Sequence, residues 1–366
     1  MIAARIVSTI LLVLCACTNL NTSAQLPEIR GTYGNPRTFW QQGHKLDDFG
    51  INAIFVHSRS INGEMMQRAS QEHVRVYAEF ATLNGKNYVD EHPEAWPINE
   101  MGEREPAASW FMGVCPTEPG FREYRMQQLR SLVEEHAVAG VWMDYVHWHA
   151  QFEEPEPILP ETCFCQSCLA AFQKTVGIQI PDGEISEKAA WILDQHGQAW
   201  RDWRCEVIIE WAKMCRQVID EVRPGTLLGV YHCPWTDDEF DGARRRNLGL
   251  DLELLEPYID VFSPMVYHGR MERSPQWVQE YVQWMCRRLD IGPESRVKIW
   301  PIVQARDDPE HGNMISAEEF ETVLRYGVTG GSTGVMMFTF PSIAENQAKL
   351  DVLQRVYNEW KQAALK

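Results

Sequence analysis

Short, almost continuous apolar runs alternate along this chain with longer amphipathic segments. Runs of this kind are typical of strands that are covered on both faces, and eight of them predict strands. The eight are Ile29–Tyr33, Ala53–His57, Arg75–Phe80, Gly140–Tyr145, Leu227–His232, Val261–Tyr267, Val297–Gln304 and Gly334–Phe340. Helical patterns lie between most of them, at Gly120–His136, Glu206–Val222, Pro275–Leu289, Ala317–Tyr326 and Ile343–Trp360. The chain is therefore predicted to consist of repeated strand–helix units.

Eight such units predict an α/β fold, a closed (β/α)8 TIM barrel. The alternative is an open, doubly wound sheet. That class commonly carries a glycine-rich nucleotide loop after its first strand, and Gly34-Asn35-Pro36 does not have the required spacing. The barrel is therefore the favoured fold.

One connection is much longer than a simple crossover. About eighty residues separate the fourth strand from the fifth, so we expect a helical subdomain at 146–226, inserted near the barrel mouth. No internal repeat or low-complexity tract divides the rest of the chain. Residues 25–366 are predicted to form a single (β/α)8 catalytic domain.

The first 24 residues have the pattern of a targeting segment. Arg5 precedes the apolar run Ile6–Ala16, which is too short to span a bilayer and suits a signal-peptide core. Leu14-Cys15-Ala16-Cys17 resembles a lipobox that would place a lipid on Cys17, whereas Thr22-Ser23-Ala24 suits ordinary signal peptidase. Either processing site predicts that the protein is exported, to the periplasm or cell surface of a bacterium. The lipid on Cys17 would be the membrane anchor.

The charge of the chain narrows the classes of partner. With 34 basic and 51 acidic residues the net charge is −17, which disfavours nucleic acid and anionic membranes because both attract clustered Lys and Arg. The 366 residues include 14 Trp. Those in predicted helices are expected to pack in the core, and Trp96, Trp110, Trp148 and Trp235, in predicted loops, suit stacking on sugars.

Functional side chains of a barrel collect where its strands end. Here those ends are rich in carboxylates, imidazoles and aromatic rings, which suit a polar, ring-shaped substrate. They carry Tyr33, His57, Glu79, Asp144, His147, His149, His232, Trp235, Asp237, Tyr267, His268, Gln304, Arg306, Phe338 and Phe340.

Asp144 is the most informative of these residues. It interrupts the apolar strand Gly140-Val-Trp-Met-Asp-Tyr, and a buried, unpaired carboxylate is costly. An acid in this position usually lies at the carboxyl end of its strand, where hydrogen-bond or charge partners stabilise it. It could cap the following loop, or it could act as nucleophile or transition-state stabiliser at an anomeric carbon.

Ala139–Tyr145 resembles the fourth strand of retaining glycosidase barrels that carry an Asp nucleophile there, as in the α-galactosidase-like and α-fucosidase-like families. The chain is similar in more detail, over roughly residues 28–345, to bacterial "hypothetical glycosyl hydrolase" barrels. The matching pieces are His92-Pro93-Glu94, Cys115-Pro116, Asp144, Cys163-Phe164-Cys165-Gln166-Ser167-Cys168 with Phe172, Ser263–Tyr267 and the strand beginning at Gly334. The resemblance implies a (β/α)8 glycosidase fold with Asp144 at the catalytic centre.

The chain departs from those families where a second carboxylate would be expected. Gln304 stands at the exit of the seventh strand, where some families have Glu, and the sixth strand ends in Tyr267-His268 instead of an Asp. Two candidates for the second acid remain, Glu79 and Asp237. Glu79 could equally be a structural residue of the barrel mouth whose hydrogen bonds are all made within the protein. The run Asp237-Asp238-Glu239 could be a solvated loop.

Polar and aromatic strand-end residues are the predicted contacts to sugar hydroxyls and rings. These substrate-binding candidates are His57, His147, His232, Trp235, Tyr267 and Gln304. Several histidines near Asp144 could instead hold a catalytic metal, as in a metal-dependent hydrolase or deacetylase, but no H-E-x-x-H motif occurs. No cofactor and no metal at the catalytic site are expected.

Ten cysteines occur in the chain, eight of them beyond the targeting segment. In an exported protein one or two disulfides are plausible. Cys163, Cys165 and Cys168 supply three thiols within six residues, which could form a disulfide staple or a structural zinc site. A fourth ligand is not evident from the sequence, and we expect the tract to shape a loop.

Together these features predict an exported glycoside hydrolase that cleaves a poly- or oligosaccharide. Asp144 is the predicted nucleophile or stabiliser, and Glu79 or Asp237 the predicted proton donor. The alternative from another class is a carbohydrate-binding barrel without hydrolytic activity, which Gln304 and the unassigned second acid keep open. A carbohydrate is the expected partner, and the residues imply no protein partner.

Overall fold

The computed structural model of the protein describes residues 26–309 and 312–365. The predicted targeting segment, with Cys17 and both possible cleavage sites, lies outside this range. No helix within the described residues is both long enough and apolar enough to cross a membrane.

Nine strands and thirteen α-helices make up the described fold. The strands are β1 (Ile29–Tyr33), β2 (Ala53–His57), β3 (Arg75–Ala81), β4 (Gly140–Asp144), β5 (Leu227–His232), β6 (Val261–Val266), β7 (Lys298–Ile299), β8 (Ile302–Gln304) and β9 (Gly334–Phe338). The helices are α1 (Arg37–Gln41), α2 (Gly63–Gln71), α3 (Lys86–Glu91), α4 (Pro119–Glu135), α5 (Gln166–Val176), α6 (Ile185–Gln195), α7 (Gly197–Val222), α8 (Ala243–Arg246), α9 (Leu252–Leu255), α10 (Pro275–Arg288), α11 (Ala317–Gly327), α12 (Phe340–Ala344) and α13 (Gln347–Ala363).

All strand pairs are parallel, and the sheet closes on itself. β1 to β6 pair in sequence, β6 pairs with β7 and β8, β8 with β9, and β9 with β1. Because β7 and β8 together form one barrel position, the ring has eight. The predicted TIM barrel is confirmed, and the open sheet is wrong because its edge strands would remain unpaired.

The seventh barrel strand differs from its prediction as one run, Val297–Gln304. It is divided at Trp300-Pro301, where proline has no N–H to donate to a neighbouring strand. The Trp300 ring turns into the barrel and stacks on Trp142 at a centroid distance of 5.6 Å.

Aromatic rings fill the lower barrel interior. Trp142 packs edge-on against Phe55 and Tyr77, each at 4.9 Å, and its indole N–H donates to the Ser263 hydroxyl at 2.9 Å. Gly229, on the adjacent strand, is required here, since a Cβ at that position would lie 2.2 Å from the Trp142 ring. The barrel is thus a packed core beneath its mouth.

The long connection after β4 holds α5 and α6 and leads into α7, which packs against α4. α7 begins at Gly197, nine residues before the predicted Glu206. The predicted helix Ile343–Trp360 is two helices, because Asn346 caps α13 by accepting a hydrogen bond from the Lys349 N–H.

Candidate active site

A cavity of about 800 Å³ opens at the carboxyl ends of the barrel strands. Its lining comes from the ends of six strands, with Tyr33, Asp144, Tyr231, Met265, Ile302, Gln304 and Phe338. The long loops that follow β3 and β4 close one side of it. Side chains from distant parts of the sequence therefore meet around one space, as expected for the mouth of a TIM barrel.

Asp144 and Glu79 lie together at the bottom of this site. The register pairs Asp144 with Ala81 and Trp142 with Glu79, so Glu79 lies one pleat deeper in the barrel. Asp144 is half-buried and lines the cavity, whereas Glu79 is buried beneath it. The Asp144 carboxyl hydrogen-bonds to Glu79, and the Tyr33 hydroxyl donates to the Glu79 carboxylate.

The two carboxyl groups are hydrogen-bonded to each other, and each influences the pKa of the other. Burial, together with the nearby charges of Glu79 and Glu153, raises the pKa of Asp144 well above its usual range. Burial also raises the pKa of Glu79, but hydrogen bonds from Tyr33 and Asp144 and the proximity of His57 oppose the rise. Asp144 therefore holds the proton, and Glu79 accepts its hydrogen bond.

Glu153 is a second carboxylate in the cavity. It lies in the loop after β4, and burial raises its pKa to about 7 in spite of the neighbouring Arg270. Arg270 bridges two acids, with its guanidinium 3.2 Å from the Glu153 carboxylate and 3.0 Å from that of Glu154. Glu153 and Asp144 line the same cavity, and the nearby charge of Glu153 adds to the rise in the pKa of Asp144 that burial causes.

Aromatic rings form the walls of the cavity. Tyr33 and Tyr267 flank Phe338, with ring centroids 5.2 and 5.0 Å away. On the opposite loop, the Trp110 ring lies 4.2 Å from the Arg270 guanidinium carbon and remains exposed. These surfaces suit contact with the C–H faces of sugars.

Two glutamines at the cavity differ in their free hydrogen-bonding capacity. Gln304 accepts from the Arg270 backbone N–H at 2.9 Å and donates to the Arg306 carbonyl at 3.0 Å, so it positions these arginines. Gln151 accepts from the Glu153 N–H at 2.7 Å, and its side-chain nitrogen is buried without a partner among the described residues.

The three histidines predicted to bind sugar do not line this cavity. His147 and His232 are buried, each with Nδ1 against a backbone carbonyl, of Trp148 at 2.7 Å and of Cys233 at 2.9 Å. His57 faces a different cleft, on the outer side of β2, and its Nδ1 accepts from the Arg59 N–H. The structure places them behind or beside the site because their backbone positions turn the rings away from the mouth.

Asp237 and Trp235 also lie outside the cavity. Asp237 forms ion pairs with Arg244 and Arg288, and it is not brought near Asp144. Trp235 is almost fully buried and packs on Phe240 at 4.4 Å. Of the substrate-binding candidates, only Tyr267 and Gln304 line the cavity, and of the four loop tryptophans only Trp110 does.

Sequence reasoning missed Glu153, Arg270, Tyr145, Gln151 and Tyr231. A signal existed for Glu153, because Gln151-Phe-Glu-Glu follows Asp144 by a few residues in the same βα loop. Tyr145, directly after the strand, has a left-handed backbone (φ 53°), and its N–H donates to Asp144 Oδ1 at 2.8 Å. No sequence signal pointed to Arg270, whose role depends on tertiary contacts.

In the part of the chain that the structure describes, histidines and carboxylates do not converge on a possible metal site. Within residues 26–309 and 312–365, the one set of His, Cys, Asp or Glu close enough to share an ion is Cys115, Cys163, Cys165 and Cys168, away from this cavity. Among the described residues, no such set surrounds Asp144.

Comparison with solved structures also identifies the fold as a (β/α)8 barrel. No family profile and no curated protein sequence match the chain. The chain has the fold of (β/α)8 glycoside hydrolases. It is similar to the glycoside hydrolase domain of PgaB (BpsB) from Bordetella bronchiseptica, at 14% identity and a TM-score of 0.66, over 90% of this chain and 99% of that domain.

Other similar structures are also glycoside hydrolases. A GH42 β-galactosidase from G. stearothermophilus, Gan42B, matches at 14% identity and a TM-score of 0.66, over 93% of this chain but 57% of its own. The catalytic domain of β-amylase from Paenibacillus polymyxa matches at 10% identity and a TM-score of 0.61, over 89% of this chain and 96% of that one. At these identities the likeness shows the fold, and the activity has to be argued from the site.

Proposed function

We propose that this protein is a glycoside hydrolase that cleaves a poly- or oligosaccharide by carboxylate catalysis. The single observation that carries the proposal is that Asp144 and Glu153, two carboxyl groups of raised pKa, line one aromatic-walled cavity at the carboxyl end of the barrel. Glycosidases of most families use two carboxyl groups, one protonated and one ionised.

Asp144 is the proton donor in this proposal. Burial and the adjacent Glu79 raise its pKa well above the usual range, which favours the protonated form that a general acid needs to protonate the glycosidic oxygen. This reverses the role expected from the sequence, which was nucleophile or stabiliser. Glu79 is too deeply buried to reach the substrate, so it acts through Asp144 as a positioning residue.

Glu153 is the second carboxylate. With a pKa of about 7 it is substantially ionised at neutral pH and can activate a water or attack the anomeric carbon. Arg270 holds it in place and favours its ionised form. Tyr33, Trp110, Tyr267 and Phe338 would contact the sugar rings.

Turnover on a panel of oligosaccharides and polysaccharides tests the proposal. The wild-type protein should release reducing sugar from at least one of them, and Glu153→Gln should lose most of this activity. Asp237→Asn is the control, because Asp237 is an acid outside the cavity and should not affect turnover. Sugar binding without turnover on every substrate would support the carbohydrate-binding alternative and contradict the proposal.

Azide identifies the second carboxylate chemically. In Glu153→Ala this small anion can occupy the vacated space and attack the anomeric carbon, so a glycosyl azide product is expected from an activated substrate. Product formation with Asp237→Ala but not with Glu153→Ala would contradict the assignment of Glu153.

We further propose that the protein is exported, with Cys17 as its lipid anchor. The support is the apolar run Ile6–Ala16 followed by Ala16-Cys17. Expression of the full chain in a bacterial host should give a membrane-associated, acylated protein, and Cys17→Ser should remove the acyl mass. An unprocessed protein that remains in the cytoplasm would contradict this proposal.

A further inference from the structure

Four buried thiols from two separate loops meet at one point beside the barrel. Cys115 lies between α3 and α4, and Cys163, Cys165 and Cys168 lie at the start of α5. Their sulfur atoms all lie within 4.8 Å of one another, and Cys115 Sγ is 3.5 Å from Cys165 Sγ and 3.4 Å from Cys168 Sγ. Cys115 is the fourth ligand that the sequence pattern did not identify.

The spacing of these sulfur atoms suits one tetrahedral ion. A Zn–S bond of about 2.3 Å places tetrahedral thiolates roughly 3.8 Å apart. A disulfide would bring two sulfur atoms to about 2.0 Å, whereas all four cysteines are free thiols in this structure. We propose that Cys115, Cys163, Cys165 and Cys168 bind a structural Zn²⁺ ion.

Hydrogen-bond donors and positively charged side chains lie beside the four thiols. The Ile98 N–H donates to Cys163 Sγ at 3.4 Å and the Cys168 N–H to Cys165 Sγ at 3.5 Å. Two arginines, Arg122 and the fully buried Arg204, interact electrostatically with Cys168. Donors and positive charges of this kind are the outer-shell partners that stabilise thiolate ligands.

The site joins the two loops that frame the cavity. Cys115 follows Trp110 in the loop after β3, and Cys163 follows Glu153 in the loop after β4. Backbone contacts support the same junction, since Phe164 N–H donates to the Ile98 carbonyl at 2.8 Å. Zinc here would have a structural role, because all four coordination positions are occupied by protein.

Metal analysis of the purified full-length protein is the first test. Elemental analysis should find about one zinc ion per chain. Mercurial modification of the thiols should release the ion, which a colorimetric zinc indicator detects. Absence of zinc, iron in its place, or a disulfide between any of these four cysteines in the non-reduced protein would overturn the proposal.

Two variants locate the ion. Cys115→Ser should lose the bound zinc and unfold at a lower temperature, because three ligands remain. Cys215→Ser is the matched control: Cys215 is equally buried, on α7, but does not belong to the cluster. Zinc retained at the wild-type level in Cys115→Ser would contradict the assignment.

Cobalt substitution keeps the test independent of whether Cys115→Ser folds. The wild-type protein reconstituted with Co²⁺ should show the thiolate-to-metal charge-transfer band and the intense visible bands of a tetrahedral tetrathiolate complex. The weak spectrum of octahedral cobalt would overturn the proposal. None of these measurements depends on the hydrolase activity proposed above.

Discussion

Asp144 donates a hydrogen bond to Glu79, which lies one pleat deeper in the barrel and accepts a second hydrogen bond from Tyr33. This series of hydrogen bonds connects the floor of the cavity to the packed interior of the barrel. Burial and the adjacent Glu79 carboxylate together raise the pKa of Asp144 well above its usual range. The pKa of Asp144 therefore depends on its burial and, through Glu79, on the hydrogen bonds that connect the three residues.

Glu79→Gln should shift the alkaline limb of the kcat/KM profile to lower pH. Burial raises the pKa of Asp144 most, and the nearby charge of Glu79 adds to it, so removal of that charge lets Asp144 ionise earlier. Tyr33→Phe should shift the limb in the same direction by a smaller amount, because Glu79 then takes more of the shared proton. An alkaline limb that does not move in Glu79→Gln would show that Glu79 does not act through Asp144.

Arg270→Gln should shift the acid limb of the same profile to higher pH. Burial raises the pKa of Glu153 to about 7, and Arg270 counteracts that rise. Without Arg270 the pKa of Glu153 rises further, and we expect a shift of about 1 pH unit. Arg306→Gln, a change at the other arginine of the cavity, should leave the acid limb in place. Equal shifts in both variants would indicate a general loss of positive charge.

His147→Gln should reduce the acid sensitivity of folding. Burial lowers the pKa of His147 to about 4, so the unfolded chain binds a proton between pH 6.5 and 4 while the folded chain does not. The stability that neutral His147 provides is complete above pH 6.5 and is lost as pH falls towards 4, by on the order of 2–3 kcal/mol. The slope of the unfolding free energy over this window should be shallower in the variant.

His92→Gln is the control for this measurement, because 43% of the His92 side chain is accessible to solvent. The slope of the unfolding free energy against pH in His92→Gln should equal that of the wild type. Comparison between variants also removes the opposing contribution of Glu153, whose raised pKa lowers stability as pH rises through the same window. Equal slopes in His147→Gln and the wild type would contradict the interpretation of His147 as a buried neutral residue.

Anionic glycans should be poorer substrates than neutral ones of the same linkage. Six carboxyl groups but only two arginines line the cavity, and one of the arginines, Arg270, is already paired with Glu153 and Glu154. The resulting negative field repels carboxylated or sulfated chains. The ratio of kcat/KM for a neutral oligosaccharide to that for its carboxylated analogue should fall as salt is added. A ratio below one would contradict this prediction.

The barrel could be predicted from the sequence because its strands are short, apolar and separated by amphipathic helices. β1, β2 and β5 have the predicted bounds. The seventh strand was predicted as one run because its apolar pattern continues through Trp300-Pro301, and the loss of a backbone donor at Pro301 is not visible as a change in hydrophobicity.

The candidate site was predictable only in part. Asp144 and Glu79 could be found because each is an acid within an apolar strand, and the structure places their side chains together. His147 and His232 were misplaced because strand-end position does not reveal side-chain direction once a strand turns into its loop. Glu153 and Arg270 come from loops whose conformation depends on tertiary packing.

The most direct test of the account is the activity and melting temperature of Asp144→Asn at neutral pH. Asparagine resembles the protonated carboxyl in shape but cannot supply a proton. Hydrolysis should therefore fall by about 10²–10⁴-fold, while the melting temperature stays the same or rises. Activity close to that of the wild type, or a loss of activity that matches a loss of folded protein, would contradict the assignment of Asp144 as the proton donor.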